Sequence, residues 1–168
     1  MVTASPTSVR RIHEQVFSAL LQACREVYGE RLVTVAIFGS AGRGTARPDS
    51  DIDILIVADP LPNGRMPRVA EFDAVEKRIR ALLAGEIDPV PFLSPFFKTP
   101  EEANVENYLF LDMTDDARLL YDRDDFFARR LDRLRKRLQE LGSQRIWLGS
   151  AWYWDLKPDY KPGDVFEL

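Results

Sequence analysis

The segment from Val35 to Val57 constrains the fold of this chain more than any other part of the sequence. It reads VAIFGSAGRGTARPDSDIDILIV, two apolar runs joined by a loop rich in glycine and arginine. The second run opens with Asp51 and Asp53, and because strand side chains alternate between faces, both carboxylates should point the same way, about 6.6 Å apart along the backbone. Two carboxylates on one face can hold a hard cation such as Mg²⁺, while a glycine-rich loop leaves N–H groups free for phosphate. The pattern indicates phosphoryl or nucleotidyl transfer.

Three other motifs that bind phosphate or metal fail on individual residues. A P-loop requires lysine at the position where this chain has Thr45. A dinucleotide-binding fingerprint requires a third glycine where Arg47 stands. An EF-hand loop that started at Asp49 would need glycine at Ile54 and glutamate at Pro60. The sequence therefore excludes all three.

The spacing of the glycine turn and the two acids resembles the signature of a known superfamily. Gly39-Ser40, ten residues and then Asp51-Ile52-Asp53 match the DNA polymerase beta-like nucleotidyltransferases. Arg43-Gly44 and Arg47-Pro48-Asp49-Ser50 are most similar to the minimal nucleotidyltransferases of that superfamily. The resemblance implies an α/β fold with a small mixed β-sheet flanked by helices. It also implies transfer of a nucleoside monophosphate from ATP or another triphosphate to a hydroxyl, with Mg²⁺ as the metal and Mn²⁺ as its alternative.

The resemblance assigns nucleotide binding to the loop between the two strands. A helix start presents free N–H donors to a phosphate, so Gly39 and Ser40 are expected to contact the triphosphate. Arg43 and Arg47 would neutralise its charge if they face it, and are ordinary surface charges if they do not. The predicted nucleotide-binding group is Gly39, Ser40, Arg43 and Arg47.

A third carboxylate is expected because the superfamily generally carries one on a neighbouring strand, between apolar residues. Ile87-Asp88-Pro89 is the best match in this chain, although the proline departs from the usual pattern. Asp88 is therefore predicted to act as general base or to complete the metal site with Asp51 and Asp53. Glu86 is the alternative.

Composition and charge set the limits for partners. The chain has 168 residues, enough for one domain with a sizeable core, and its net charge of -4 argues against a general nucleic-acid binder. A local basic patch, and with it a nucleic-acid partner, stays open. The single cysteine, Cys24, excludes an internal disulfide and is predicted to lie in the core. His13, the only histidine, is predicted to be solvated on the first helix.

The absence of targeting patterns predicts a cytoplasmic protein. No run approaches the roughly 18 apolar residues that a membrane span requires. The first residues contain no apolar signal core, and Glu14 argues against a transit peptide.

The resemblance implies a nucleotidyltransferase domain over residues 6–122. A C-terminal helix and an aromatic tail, 123–168, are expected to follow and to pack on the same domain. A helix is expected to start at Ser5-Pro6 and to end near Tyr28-Gly29. Thr99 and Glu102 predict a capping box at the start of another helix. The expected strands are Leu32–Phe38, Asp51–Val57, Ile87–Leu93 and a short one at Leu119–Tyr121; the other long helices are expected from Pro67 to Leu82 and from Asp124 to Leu141.

The last of these helices has an apolar stripe and a strongly basic remainder. Phe127, Leu131, Leu134, Leu138 and Leu141 are spaced to dock on the core. The basic residues are predicted to face outward, either as a solvated face or as a surface for RNA or an acidic partner: they are Arg129, Arg130, Arg133, Arg135, Lys136 and Arg137.

Two functional hypotheses follow from the sequence. The first is an Mg²⁺-dependent nucleotidyltransferase that moves AMP or another nucleoside monophosphate to a hydroxyl on a small molecule, protein or nucleic acid. Minimal nucleotidyltransferases often act beside a helical HEPN toxin as its antitoxin, some by adenylylating it, so the resemblance implies a HEPN-type partner. The second is a binding module that keeps the fold, has weak or no catalytic activity and neutralises a partner by contact.

Overall fold

A computed structural model describes residues 6–149 and 151–168 of the chain, in which helices cover both faces of a mixed β-sheet. The helices are α1 (Pro6–Tyr28), α2 (Gly39–Arg43), α3 (Arg65–Leu82), α4 (Pro100–Asn104), α5 (Leu109–Asp116) and α6 (Phe126–Glu140). The strands are β1 (Leu32–Phe38), β2 (Ile52–Ala58), β3 (Leu93–Lys98), β4 (Arg118–Asp122), β5 (Gln144–Leu148) and β6 (Ala151–Asp155).

The main sheet has the strand order β3-β2-β1-β4. β1 runs antiparallel to both β2 and β4, whereas β2 and β3 are parallel. The two inner strands, β1 and β2, are almost wholly buried, as their near-continuous apolar sequences predict. The α/β fold with a small mixed sheet and flanking helices is therefore confirmed.

Alternation along β2 divides the core into two layers. Ile52, Ile54 and Ile56 pack with α1 and α3 on one face of the sheet. Leu55 and Val57 pack with α5 and α6 on the other. Because side chains two residues apart share a face, Asp53 projects to the α5 side. The layer around α5 therefore sets the surroundings of the predicted site.

Most of the predicted elements agree with the structure to within two residues. β1 has the predicted bounds, and the capping box is present: the Glu102 N–H donates to Thr99 Oγ1, and the Thr99 N–H to the Glu102 carboxylate. Ser5, the predicted cap of α1, lies outside the described residues. The predicted strand Ile87–Leu93 is wrong, since β3 only begins at Leu93. Pro89 and Pro91 explain the shift because proline cannot donate to a strand ladder.

The apolar stripe of α6 docks as predicted, with Phe127, Leu131, Leu134 and Leu138 buried against the sheet. Its basic face differs from the prediction. Arg130 is itself buried, 8% exposed, and Arg135 and Arg137 donate to the backbone oxygens of Thr114 and Glu167 at 2.7 and 2.8 Å. The outward-facing basic residues of this helix are Arg129, Arg133 and Lys136.

The residues after α6 form an antiparallel hairpin, β5–β6, which the sequence patterns did not predict. The hairpin places Arg145, Trp147, Trp152 and Trp154 on one face, because directly paired residues share a side. The indole N–H groups of Trp152 and Trp154 both donate to Asp112 on α5, at 2.8 and 2.9 Å. The aromatic tail is therefore anchored to the domain by polar contacts. None of the described helices combines the length and the apolar character needed to cross a membrane.

Candidate active site

The two predicted carboxylates lie at the start of β2, at the edge of the sheet where α2 also begins. Asp53 is in register with Phe38 of β1 and with Ser94 of β3. It is half-buried, whereas Asp51, just before the strand, is exposed. The strand geometry thus places one carboxylate in a half-buried position and the other on the surface.

The surroundings of Asp53 disfavour its charge. Burial raises the pKa of the carboxyl, and the negative charge of Asp51 raises it further. A hydrogen bond from the Ser94 hydroxyl and the positive charge of Arg43 oppose this rise in pKa. Two neighbouring carboxylates that repel each other would be stabilised by a divalent cation. The donor set fits Mg²⁺, which takes one or two protein carboxylates and completes its shell with phosphate oxygens and water.

Gly39 allows α2 to begin directly against this carboxylate. Its φ of 64° lies in the left-handed region, and a Cβ atom at this position would collide with Asp53 Oδ2. Gly39 therefore brings the backbone at the start of α2 against Asp53. The Ser40 carbonyl accepts a hydrogen bond from the Thr45 N–H at 2.9 Å, which closes the loop after the helix.

The two loop arginines differ in their environments. Arg43 donates to Asp116 on α5 at 2.6 Å, and its guanidinium lies 4.7 Å from the ring centroid of Trp152. Arg47 is exposed and lies 3.7 Å from the equally exposed Asp49. The structure therefore holds Arg43 near Asp53 and leaves Arg47 on the surface.

Asp53 opens into a cleft of about 590 Å³ bounded by β3, α3 and α4. Phe38 and Phe96 give it apolar walls, and an ion pair closes one side: Arg68 donates to both carboxylate oxygens of Glu102, at 2.7 and 2.9 Å. These bonds lower the pKa of Glu102 to about 2. The cleft thus offers a small ligand both apolar surface and fixed charge beside the carboxylate pair.

The predicted third carboxylate is absent from this cluster. Asp88 and Glu86 are exposed residues of the connection that precedes β3, and Glu86 accepts a hydrogen bond from Gln15 of α1 at 3.1 Å. Within residues 6–149 and 151–168, no three His, Cys, Asp or Glu side chains are grouped so that they could hold a metal ion. The strand position opposite Asp53 is filled by Ser94. The structure therefore does not bring Asp88 together with Asp51 and Asp53, because β3 begins five residues after Asp88.

Comparison with known proteins agrees with this geometry. Residues 18–111 match the model of the nucleotidyltransferase domain family. The chain belongs to this family. Its relatives include MJ1305 of Methanocaldococcus jannaschii, which is named provisionally as a protein adenylyltransferase. This chain and MJ1305 are 29% identical over 123 residues, which cover 71% of this chain and 79% of MJ1305. The protein adenylyltransferase MntA of Thermococcus cleftensis is 34% identical over 77 residues, 46% of this chain and 71% of MntA.

A solved structure supports the fold. The spectinomycin adenyltransferase AAD(9) of Enterococcus, solved with ATP and spectinomycin, superimposes with a TM-score of 0.50 at 15% identity, over 76% of this chain and 66% of that one. The protein is thus a nucleotidyltransferase in family, fold and enzyme class.

Two further predictions concern single residues of the nucleotidyltransferase outside the cleft. Cys24 is buried, as predicted, and burial raises the pKa of its thiol to about 12, so the thiol is inert. His13 differs from the prediction: it is buried against Phe17, and burial lowers its pKa. It lines a cavity of about 650 Å³ between α1 and the loop after α2, together with Arg47 and Arg118.

A polar network that the sequence patterns did not predict joins the hairpin to α5 and α2. Arg145 on β5 lies 3.4 Å from Asp112 and 3.6 Å from Asp116, and Asp116 also binds Arg43. The sequence feature that could have indicated this network is the acidic composition of α5, which contains three aspartates and no basic residue. Carboxylates in the last turn of a helix are unfavourable without cations, and Arg43 and Arg145 supply them from distant parts of the chain.

Proposed function

We propose that this nucleotidyltransferase transfers AMP from ATP to a hydroxyl of a protein acceptor in an Mg²⁺-dependent reaction. The observation that carries the proposal is the contact between Gly39 and Asp53, which brings a helix start and a pair of mutually repelling carboxylates to one point. The named activities of the two relatives support a protein acceptor and ATP as donor.

Each residue of the site has a distinct proposed role. Asp51 and Asp53 would hold Mg²⁺, and the bound ion would neutralise charge on the transferred phosphoryl group. The backbone N–H groups of Gly39 and Ser40 would orient the phosphates. Ser94 donates to Asp53 and so fixes the carboxylate, while Arg43 adds positive charge nearby.

The acceptor that we propose is a helical HEPN-type protein, as the resemblance to minimal nucleotidyltransferases implies. The exposed basic residues of α6, Arg129, Arg133 and Lys136, offer a positive surface on an acidic molecule, which suits an acidic protein segment. RNA would use the same charge, so the test includes it as a second acceptor.

One observation favours a second candidate function, neutralisation of a partner by contact without transfer. Ser94 stands where a third carboxylate would face Asp53, and no other described carboxylate completes the group. An enzyme with only two of the three acids would turn over slowly. Its function could then be to form a stable complex with its partner.

The test is incubation of the purified chain with ATP, Mg²⁺ and either a HEPN-type protein encoded beside it or RNA, with the acceptor mass as readout. Transfer adds one AMP to the protein acceptor. The double variant Asp51→Asn, Asp53→Asn should abolish the addition, while Asp49→Asn, an exposed carboxylate in the same loop, should leave it unchanged. No added mass on either acceptor with the wild-type chain, together with tight partner binding by the double variant, would replace the proposal with the contact function. An AMP on RNA alone would overturn the protein acceptor.

A further inference from the structure

The short helix α2 is fixed at both ends by close backbone approaches. At its start, a Cβ on Gly39 would collide with Asp53 Oδ2. In its last turn, a Cβ on Gly42 would collide with the carbonyl oxygen of Asp116, the last residue of α5. A five-residue helix has little stability of its own, so its position depends on these neighbours. Any movement of Asp116 would therefore be passed to the turn beside Asp53.

Asp116 is in turn held by side chains from two other parts of the chain. It is 4% exposed, receives a hydrogen bond from Arg43 at 2.6 Å, and has Arg145 at 3.6 Å on its other carboxylate oxygen. A buried carboxylate needs such partners, because an unpaired charge in the interior is strongly destabilising. The hairpin residue Arg145 is therefore part of the support for α2.

Trp152 contacts both arginines of this network. The Arg43 guanidinium is 4.7 Å from the centroid of its ring and that of Arg145 is 5.3 Å away. Its indole N–H also donates to Asp112, which fixes the plane of the ring against α5. Trp154 offers a natural comparison: it makes the same bond to Asp112 and lies 5.1 Å from Arg145, but among the described contacts it has none with Arg43.

We propose that the β5–β6 hairpin positions the nucleotide-binding turn of the active site, with Trp152 and Arg145 as positioning residues that hold Arg43 and Asp116 against α2. The effect that we expect on ATP binding and AMP transfer rests on the proposed function, whereas the effect on the structure of the turn does not. Neither residue needs to touch the nucleotide. Trp152 acts through Arg43, and Arg145 acts through Asp116.

The structural consequence is tested on the chain without nucleotide, by hydrogen exchange read by mass spectrometry. Trp152→Leu should speed exchange at least fivefold in the peptide that contains residues 39–45, where the N–H groups of Gly44 and Thr45 bond within the loop. Trp154→Leu removes the same kind of bond to Asp112 and should leave that peptide unchanged. Trp152→Phe keeps an aromatic ring below Arg43 and should restore most of the protection. Equal exchange in all four proteins, or equal acceleration by both leucine variants, would overturn the proposal.

The catalytic consequence is tested by ATP titration calorimetry with Mg²⁺ and by AMP transfer. Trp152→Leu should weaken ATP binding about tenfold with a smaller change in turnover, because a displaced turn loses phosphate contacts. Trp154→Leu should stay within twofold of the wild type, and circular dichroism establishes that each variant is folded. If the wild type binds ATP but transfers no AMP, the proposed function fails while the exchange and binding differences still decide the positioning role. If Trp152→Leu binds ATP as the wild type does, the hairpin does not position the turn.

Discussion

Gly39 lies so close to Asp53 that the Asp53 carboxylate can take its position only because Gly39 has no side chain. The glycine adopts a φ of 64°, and its missing Cβ leaves room for the carboxylate oxygen Oδ2. The contact explains why the residue after the first strand is a glycine, and it makes both residues sensitive to small changes.

Substitution of Gly39 by alanine should disable the site. The added methyl group would displace the Asp53 carboxylate, so Mg²⁺-dependent ATP binding should weaken by a factor of about ten or more. The left-handed backbone adds a strain of about 1 kcal/mol. Gly44→Ala is the matched control, since Gly44 has a φ of 73° but no atom within 4 Å of the position that a Cβ would take. Both variants should lose similar stability in urea titrations, and only Gly39→Ala should lose ATP binding; equal binding by the two would show that the contact does not matter.

Replacement of Asp53 by asparagine should stabilise the apo protein at neutral pH. Because the pKa of Asp53 is raised in the folded state above its ordinary value, the native chain holds this proton more tightly than the unfolded chain does. The folded state therefore loses stability as the pH rises from 3.8, the ordinary pKa, through the raised pKa of Asp53. Above the raised pKa the loss of stability is complete. Asp53→Asn should raise the melting temperature at pH 7 in EDTA, with a difference that disappears below pH 3.8.

The exposed carboxylate Asp49 provides the control for that experiment, and Asp49→Asn should leave the melting temperature unchanged across the same range. A lower melting temperature for Asp53→Asn at pH 7 would mean that the hydrogen bond from Ser94 and the charge of Arg43 outweigh burial and the repulsion by Asp51.

Arg130 is the residue of α6 whose replacement should stabilise the fold. It is buried, its Nε has no hydrogen-bond partner among the described residues, and burial together with the charge of Arg133 lowers its pKa. Replacing a buried, poorly paired charge by an apolar side chain of similar length is commonly favourable, so Arg130→Met should gain about 1 kcal/mol in urea unfolding. Arg129→Met, on the exposed side of the same turn, should change stability by less than about 0.5 kcal/mol. A loss of stability in Arg130→Met would show that its attraction to Glu106 dominates.

The position of β3 changes the expectation for the third carboxylate. Asp88→Asn and Glu86→Gln should both keep AMP transfer within twofold of the wild type, because neither side chain joins Asp51 and Asp53 in a metal-binding group. Ser94→Ala should reduce transfer severalfold, since it removes the hydrogen bond that fixes Asp53. Kinetics at saturating ATP and Mg²⁺ measure all three. A loss of about 10²-fold in Asp88→Asn would restore the acid to the mechanism.

The parts of the fold that the sequence predicted well are those in which local pattern and burial agree. β1 and β2 are almost wholly apolar runs, and the capping box of α4 lies within four residues. Such signals depend on neighbours along the chain, so they can be read without the tertiary structure.

The predictions that were wrong concern positions where tertiary packing, or a residue that breaks the local pattern, decides the outcome. The apolar neighbours of Asp88 predict a strand, but prolines move the ladder to Leu93. Helical spacing predicts His13 and Arg130 at the surface, although each lies at the border of the apolar stripe, where packing decides exposure. The hairpin depends on Asp112 and Asp116, which have no sequence relation to the residues of the hairpin that they bind.

The contact between Arg43 and Trp152 also affects the order in which parts of the chain fold during synthesis. Chains emerge from the ribosome from the N-terminus onward, and domains begin to fold as they emerge. A nascent chain that ends before residue 152 already contains both carboxylates, all four strands of the main sheet and the whole glycine-rich loop. It lacks the ring over which Arg43 lies and the hydrogen bond from that ring to Asp112. The turn at Gly39 and Ser40 would therefore take its final position only after Trp152 has emerged, later than the sheet that carries the turn.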